Sequence, residues 1–356
     1  MTRTLVVAPN WVGDCVMAEP AFRALAASGR ELTALARRPL HPLLALFPGV
    51  AATLEKGPDD VTLAALASGA PGAPGGASAF DEAVILPNSF RAAWMLARAG
   101  IARRYGYRAD FRGPLLAPAV ARPRGRRPQI EDYSALLAAM GVAPPENWLP
   151  RLELPAALRE RGRERLARAQ LGAGADAGGG PLVGLSPGAE WGPSKRWPLR
   201  HWADLARELR RRIPAVEEAI FVGPKEIWLG VRVHEESGKL HPLLGPDLDL
   251  PGLAAVLSHL DLLVTNDSGP MHLAAALGVP CVALFGPTDH RRTAPAGGAG
   301  EGHIVLDRNL WCSPCFRRRC PLLHHGCMRG IGVAEVASAV EKALVPAVSA
   351  TEESDD

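Results

Sequence analysis

Two acidic residues stand where an apolar run gives way to a helix-like stretch, and they define the chemistry open to this chain. Asp14 closes Pro9-Asn-Trp-Val-Gly-Asp14 after the run Thr4–Ala8, and Asp267 follows Leu262–Thr265 within Asn266-Asp-Ser-Gly-Pro270. A carboxylate between a strand end and a helix start sits in the crevice where open α/β sheets hold ligands. At the second position Ser268 or Gly269 can cap the helix and Pro270 fits its first turn. Gly269 also lets a ligand approach the backbone, whose free N–H groups and dipole attract phosphate. Cations are supplied by Lys195 and Arg196, which follow Ser186-Pro-Gly188-Ala in Gly192-Pro-Ser-Lys-Arg-Trp-Pro198. Such a loop can neutralise a diphosphate as it leaves an oxocarbenium-like carbon. Glu226 opens the helix after Phe221-Val-Gly223. Plainer readings stand beside each of these: a helix cap for Asp14, a solvated charge pair for Lys195 and Arg196, and a routine first-turn acid for Glu226.

Cys312-Ser-Pro-Cys315, Cys320 and Cys327 form a further constellation, with His324 and His325 between them. Four thiolates can close a tetrahedral structural zinc site or hold an iron–sulfur cluster. The spacing matches no strong zinc signature, so reduced thiols without metal are the alternative. Asp247-Leu-Asp249 is a second metal-like pair, but it immediately precedes a helix and capping explains it better.

These residues need a frame of alternating strands and helices, and the chain carries one. Strand-like runs at Thr4–Ala8, Glu31–Ala36 and Glu82–Leu86 alternate with helical stretches at Cys15–Ala27, Leu40–Phe47, Ala92–Ala99 and Asp132–Met140. A second series places strands at Leu182–Ser186, Glu218–Val222, Leu243–Leu244, Leu262–Thr265 and Cys281–Phe285. Its helices fall at Arg200–Arg212, Lys225–Glu236, Leu253–Leu257 and Met271–Leu277, with a closing helix at Val333–Leu344. Leu152–Ala169 reads as a helical connector and Gly172–Gly180 as a glycine hinge; Ser68–Ser78 is too rich in Gly and Pro to pack. The expectation is an α/β protein of two Rossmann-like domains, 1–165 and 181–345, with linker 166–180, a Cys-rich loop at 312–327 and a disordered acidic tail 346–356.

Four stretches in this order resemble one family: Pro9–Asp14; Leu86-Pro-Asn-Ser-Phe-Arg91 with Arg104-Tyr-Gly-Tyr-Arg108; Ser186–Ala189 with Lys195–Pro198; and Thr265–His272 with Phe285-Gly-Pro-Thr288. Together they are similar to the ADP-heptose–lipopolysaccharide heptosyltransferases, glycosyltransferase family 9, and most of all to those of the heptosyltransferase II type. The resemblance implies a GT-B architecture, with two Rossmann-like domains facing each other across a cleft. It also implies inverting transfer of L-glycero-D-manno-heptose from ADP-heptose to a hydroxyl of the lipopolysaccharide inner core, as its second heptose. On this likeness Asp14 is the catalytic base and Lys195 the catalytic cation, the helix dipole keeping Asp14 ionised. The donor would bind at Ser186, Gly188, Lys195, Arg196, Glu226, Asp267, Ser268, Gly269, Met271 and His272, the last as donor contact or support. The acceptor would meet Asn10, Trp11, Asn88, Ser89, Arg91, Arg108 and Arg112. No catalytic metal is implied, and a structural zinc on Cys312, Cys315, Cys320 and Cys327 stays open. Another family 9 transferase, acting on another sugar or core position, is the alternative within the class.

Composition narrows the remaining classes. With 356 residues the chain is long enough for two cores, and a net charge of +3 argues against a nucleic-acid-binding protein built on a zinc module, despite 35 Arg. No G-x-G-x-x-G follows the first strand, which disfavours a dinucleotide dehydrogenase. The basic stretch Arg98–Arg127 suits a phosphorylated glycolipid acceptor and an anionic membrane surface, or is simply a solvated face. The N-terminus has no charged-then-apolar export pattern and no apolar run reaches membrane-spanning length. The expectation is a cytoplasmic, monomeric protein, peripheral at the inner membrane.

Overall fold

The computed structural model describes residues 1–68, 79–125, 127–172, 179–238, 242–296 and 302–344. Most of the Ser68–Ser78 loop, the centre of the glycine hinge and the acidic tail lie outside these residues.

The first unit consists of β1 (Thr2–Val7), α1 (Val12–Ala27), β2 (Arg30–Ala36), α2 (His41–Leu44), β3 (Val50–Glu55), α3 (Asp59–Ser68), β4 (Glu82–Ile85), α4 (Phe90–Arg98), β5 (Arg103–Tyr107), β6 (Ala119–Val120) and α5 (Ser134–Ala139). After α6 (Ala156–Arg168) the second unit runs β7 (Leu182–Ser186), α7 (Leu199–Arg212), β8 (Glu217–Phe221), α8 (Ile227–Glu236), β9 (Leu243–Leu244), α9 (Leu250–Leu257) and β10 (Leu262–Asn266). It continues through α10 (Gly269–Ala276), β11 (Cys281–Phe285), α11 (His290–Thr293), β12 (Ile304–Asp307), α12 (Gly326–Arg329) and α13 (Val333–Leu344).

Each unit holds a six-stranded sheet, ordered β3-β2-β1-β4-β5-β6 in the first and β12-β11-β10-β7-β8-β9 in the second. All pairings between these strands are parallel. Helices cover both faces of such a sheet, so its central strands must be apolar throughout. Accordingly β7, β10 and β11 are buried along their whole length. The strand order reverses between β1 and β4 in one sheet and between β7 and β10 in the other. Such reversals splay successive connections apart and open a crevice at the carboxyl ends of the strands. The segments Pro9–Asp14, Leu86–Ser89, Ser186–Ala189 and Asn266–Gly269 begin at those four strand ends.

The units are packed against each other. α1 lies on α10, and α6 crosses to α9, where Arg165 pairs with Asp247 at 3.1 Å. A single buried apolar cluster runs from Phe22 and Leu25 through Leu152, Leu154 and Leu166 to Ala255 and Leu273. The backbone of Leu152 donates to Ala276 O at 2.9 Å. An apolar junction of this kind resists free swinging of the units.

Candidate active site

The two crevices face each other and enclose a cavity of about 500 Å³ whose walls come from both units. Trp11, Gly13 and Asp14 line it from the first; Ser186, Gly188, Lys195, Glu226, Asp267, Ser268, Gly269 and His272 line it from the second. A second cavity of about 310 Å³ adjoins it on the first unit, beside Asn10, Asn88, Tyr107 and Arg122. Asp14, Trp11, Gln129 and Arg292 belong to the walls of both. A carboxylate therefore stands where two ligand-sized spaces meet.

Asp14 lies in the first turn of α1, whose N-cap position, Trp11, makes no side-chain cap. Gln129 Nε2 donates to Asp14 Oδ1 at 2.9 Å. Burial raises the Asp14 carboxyl above the ordinary range; the Gln129 hydrogen bond and the Lys195 charge oppose this, and Asp267 adds to it. A carboxylate made more basic in this way is a better proton acceptor for a hydroxyl.

Opposite, Lys195 Nζ pairs with Asp267 Oδ2 at 2.6 Å, and the pair is almost wholly buried. Thr288 Oγ1 donates to the same Asp267 oxygen at 2.6 Å, and the Lys195 ammonium lies 5.1 Å from the Trp191 ring centre. The carboxylate thus fixes the ammonium toward the cavity. Asn266, at the end of β10, joins the loops: its side chain accepts from Trp197 N at 3.0 Å and donates to Pro187 O at 2.9 Å. Glu226 Oε1 accepts from Ala189 N at 2.9 Å and pairs with Arg196 at 2.7 Å. A methyl at Gly188 would come within 2.3 Å of Glu226 Oε2, so only glycine allows that approach. His272 is buried against the start of α1, and burial lowers its pKa to about 4, leaving the ring neutral. A methyl at Gly13 would come within 2.6 Å of its Cδ2.

Other expected site residues lie elsewhere. Arg112 is a correction: it is fully buried, and its guanidinium donates to Tyr107 O, Pro87 O and Asn88 Oδ1 at 2.9, 2.7 and 3.0 Å. It shapes the wall instead of meeting an acceptor. Met271 is another, being fully buried against Ala283 and Phe285. Arg196 reaches Glu226 and is absent from the cavity wall. Ser89 caps α4 by accepting from Ala92 N, Arg91 pairs with Asp59 at 2.5 Å, and Arg108 is exposed. None of these three lines either cavity, whereas Asn10, Trp11 and Asn88 do. Sequence reasoning missed Gln129, Asp132, Arg292 and Thr288. Only Thr288 carried a signal, as the end of Phe285-Gly-Pro-Thr288.

Asp249 Oδ1 caps α9 by accepting from Gly252 N at 2.8 Å, which explains that acidic pair without a metal. In the Cys-rich loop Cys312 Sγ lies 3.8 Å from His324 Nε2, and Cys327 is buried under Gly286. Among the described residues no three His, Cys, Asp or Glu side chains converge on a point that would hold a metal ion. The loop instead grips the cationic loop: Ser194 N and Oγ donate to Arg318 O and Arg317 O at 3.2 and 2.5 Å, and His325 Nε2 lies 2.7 Å from Ser194 O.

The family model described as "Glycosyltransferase family 9 (heptosyltransferase)" matches residues 76–325. The chain is 32% identical over 305 residues to lipopolysaccharide heptosyltransferase 2 of Salmonella typhimurium, covering 82% of this chain and 85% of that protein. It is 31% identical, with the same coverage, to lipopolysaccharide heptosyltransferase 2 of Escherichia coli K12. The solved structure of E. coli ADP-heptose LPS heptosyltransferase II superposes with a TM-score of 0.76 at 26% identity, covering 96% of this chain and 98% of that one.

Proposed function

The chain belongs to glycosyltransferase family 9, the heptosyltransferases, and from that footing we propose that it moves L-glycero-D-manno-heptose from ADP-heptose to the lipopolysaccharide inner core as the second heptose. The GT-B fold divides the work. ADP-heptose occupies the larger cavity, and the acceptor enters through the smaller one on the first unit. The observation that carries this reading is the place of Asp14, on the wall shared by the two cavities and facing the buried Lys195–Asp267 pair.

The chemistry follows from those positions. Asp14 takes the proton of the acceptor hydroxyl as its oxygen attacks the anomeric carbon in line. The bond from that carbon to the diphosphate oxygen breaks on the opposite face, which inverts the centre, and ADP departs. Lys195 neutralises the charge that develops on the diphosphate, while Asp267 and Thr288 hold the ammonium in place. Backbone N–H groups at Ser268 and Gly269, where α10 begins, add donors for phosphate. Glu226, fixed by Arg196 and Ala189 N, takes the ribose hydroxyls. Asn10, Trp11 and Asn88 line the acceptor's approach.

No helix among the described residues is long and apolar enough to cross a membrane. The working place we propose is the cytoplasmic face of the inner membrane, reached peripherally through the basic stretch Arg98–Arg127. A structural ion at the Cys-rich loop requires its thiols to close further on one point, and elemental analysis of protein purified without chelator decides the matter. The function itself is tested by incubating the protein with ADP-heptose and a core acceptor bearing one heptose. Mass spectrometry should find one heptose added; an acceptor of unchanged mass sinks the assignment.

A further inference from the structure

Gln129, which holds Asp14, sits on a turn that the other unit also holds. The turn Gln129–Glu131 leads directly into Asp132, whose N–H donates to Gln129 O at 3.0 Å. Asp132 Oδ2 accepts from Arg292 Nη2 at 2.8 Å and from Arg122 Nη2 at 3.3 Å, and its carbonyl accepts from Tyr107 OH. Arg292 comes from α11 of the second unit, while Arg122 and Tyr107 belong to the first. The Arg292–Asp132 pair is partly buried, at 27% and 16% exposure, so water screens it less than a surface pair. The turn also buries Ile130 and packs on α1, and the Arg292–Asp132 pair ties it to the second unit.

We infer that Arg292 is a positioning residue for the base. Through Asp132 and the 129–132 turn it sets the hydrogen bond from Gln129 to Asp14, so the base is aligned only while the second unit is docked. This rests on the reading of Asp14 as the base. The charged groups acting on Asp14 are Lys195 and Asp267 from the second unit, and Cys15 and Tyr133 lie near it in its own unit. Arg292 reaches the turn through Asp132 at 2.8 Å, and Gln129 of the same turn reaches Asp14 at 2.9 Å. Coupling of this kind keeps the carboxylate from adopting its reactive orientation in an open cleft, where water would compete for the donor.

The test is a mutant cycle on the full chain: Arg292→Gln, Gln129→Leu, both together, and Asp14→Asn in parallel. Each of the first two should lower kcat by about 10- to 100-fold, the scale of a misplaced reacting group. Each should move the acidic limb of the kcat–pH profile to higher pH, because Asp14 loses a donor that stabilises its charge. KM for ADP-heptose should change little. The double variant should lose no more than Gln129→Leu alone. Multiplying losses would show independent roles and overturn the inference, as would a wild-type kcat and pH limb for Arg292→Gln. A raised donor KM at unchanged kcat would also overturn it, making Arg292 a ligand contact. If Gln129→Leu melts early, Gln129→Met, closer in length and flexibility, takes its place in the cycle. Near-normal turnover by Asp14→Asn removes the base reading itself and this inference with it. Collapse of Asp14→Asn beside independent losses at Arg292 and Gln129 rejects the positioning role alone.

Discussion

A carboxylate that must accept a proton near neutral pH gains from being half withdrawn from water, and Asp14 is so placed. Its pKa is raised chiefly by burial, so turnover should be full above that pKa and fall as pH drops through it. The acidic limb should therefore lie above the ordinary aspartate value of about 3.9. Asp14→Asn should cut kcat by about 10²–10⁴-fold, the usual worth of a positioned base, and leave affinity for ADP nearly intact. A variant with near-normal turnover would remove Asp14 from the chemistry. Lys195→Ala should behave differently, because its charge meets the diphosphate in the ground state as well as the transition state. Loss of one charged contact should weaken ADP binding by about 1.5–3 kcal/mol in calorimetry. The same change leaves the buried Asp267 carboxylate without its cation, Thr288 remaining as a donor, so the melting temperature should fall too. Unaltered ADP affinity would place Lys195 outside the donor site.

At the scale of elements, the second unit lines the cavity with loops joined by side-chain hydrogen bonds and an ion pair. The turn after β7 lies so close to Glu226 that an added methyl would approach within 2.3 Å. Gly188→Ala should therefore push Glu226 off Ala189 N and Arg196, lowering ADP affinity by roughly the worth of a charged hydrogen bond, about 1.5–3 kcal/mol. The check is calorimetry with ADP against inorganic pyrophosphate. Only ADP carries a ribose, so an equal loss for both would sink the ribose role of Glu226. The Cys-rich loop works at this scale as well. By gripping Ser194 it holds the residue before Lys195, which gives the loop a mechanical part in the site whether or not its thiols hold an ion.

Across the whole molecule, α1 and α10 approach closely where the two units meet. Gly13 and His272 meet there, and a side chain at Gly13 would come within 2.6 Å of the imidazole. Gly13→Ala should wedge the units apart at the point where Asp14 faces Lys195. The expected outcome is a fall in kcat of about 10²-fold, the scale of an ångström's misplacement, with ADP affinity kept because the donor loops lie on one unit. Normal kcat in that variant would mean that the units need not approach this closely during turnover.

What the sequence determined by itself was whatever depends on near neighbours along the chain. Central strands such as Leu262–Asn266 and Cys281–Phe285 are buried on both faces, so unbroken apolar runs mark them. The change from apolar strand run to helix-like stretch placed Asp14 and Asp267 beside helix starts, and the order of four motifs carried the family. The edge strands β3 and β12 went unread: both are only partly buried, so neither carries the long unbroken apolar run of a central strand. Nor did composition distinguish among arginines. Arg112 vanished into carbonyl contacts, Arg91 went to Asp59, and Arg292 reached Asp132 from 160 residues away. Gln129 became the partner of Asp14 across 115 residues. Only tertiary structure decides such destinations, because a long polar side chain is fixed by the partners that folding brings within its reach and not by its neighbours in sequence.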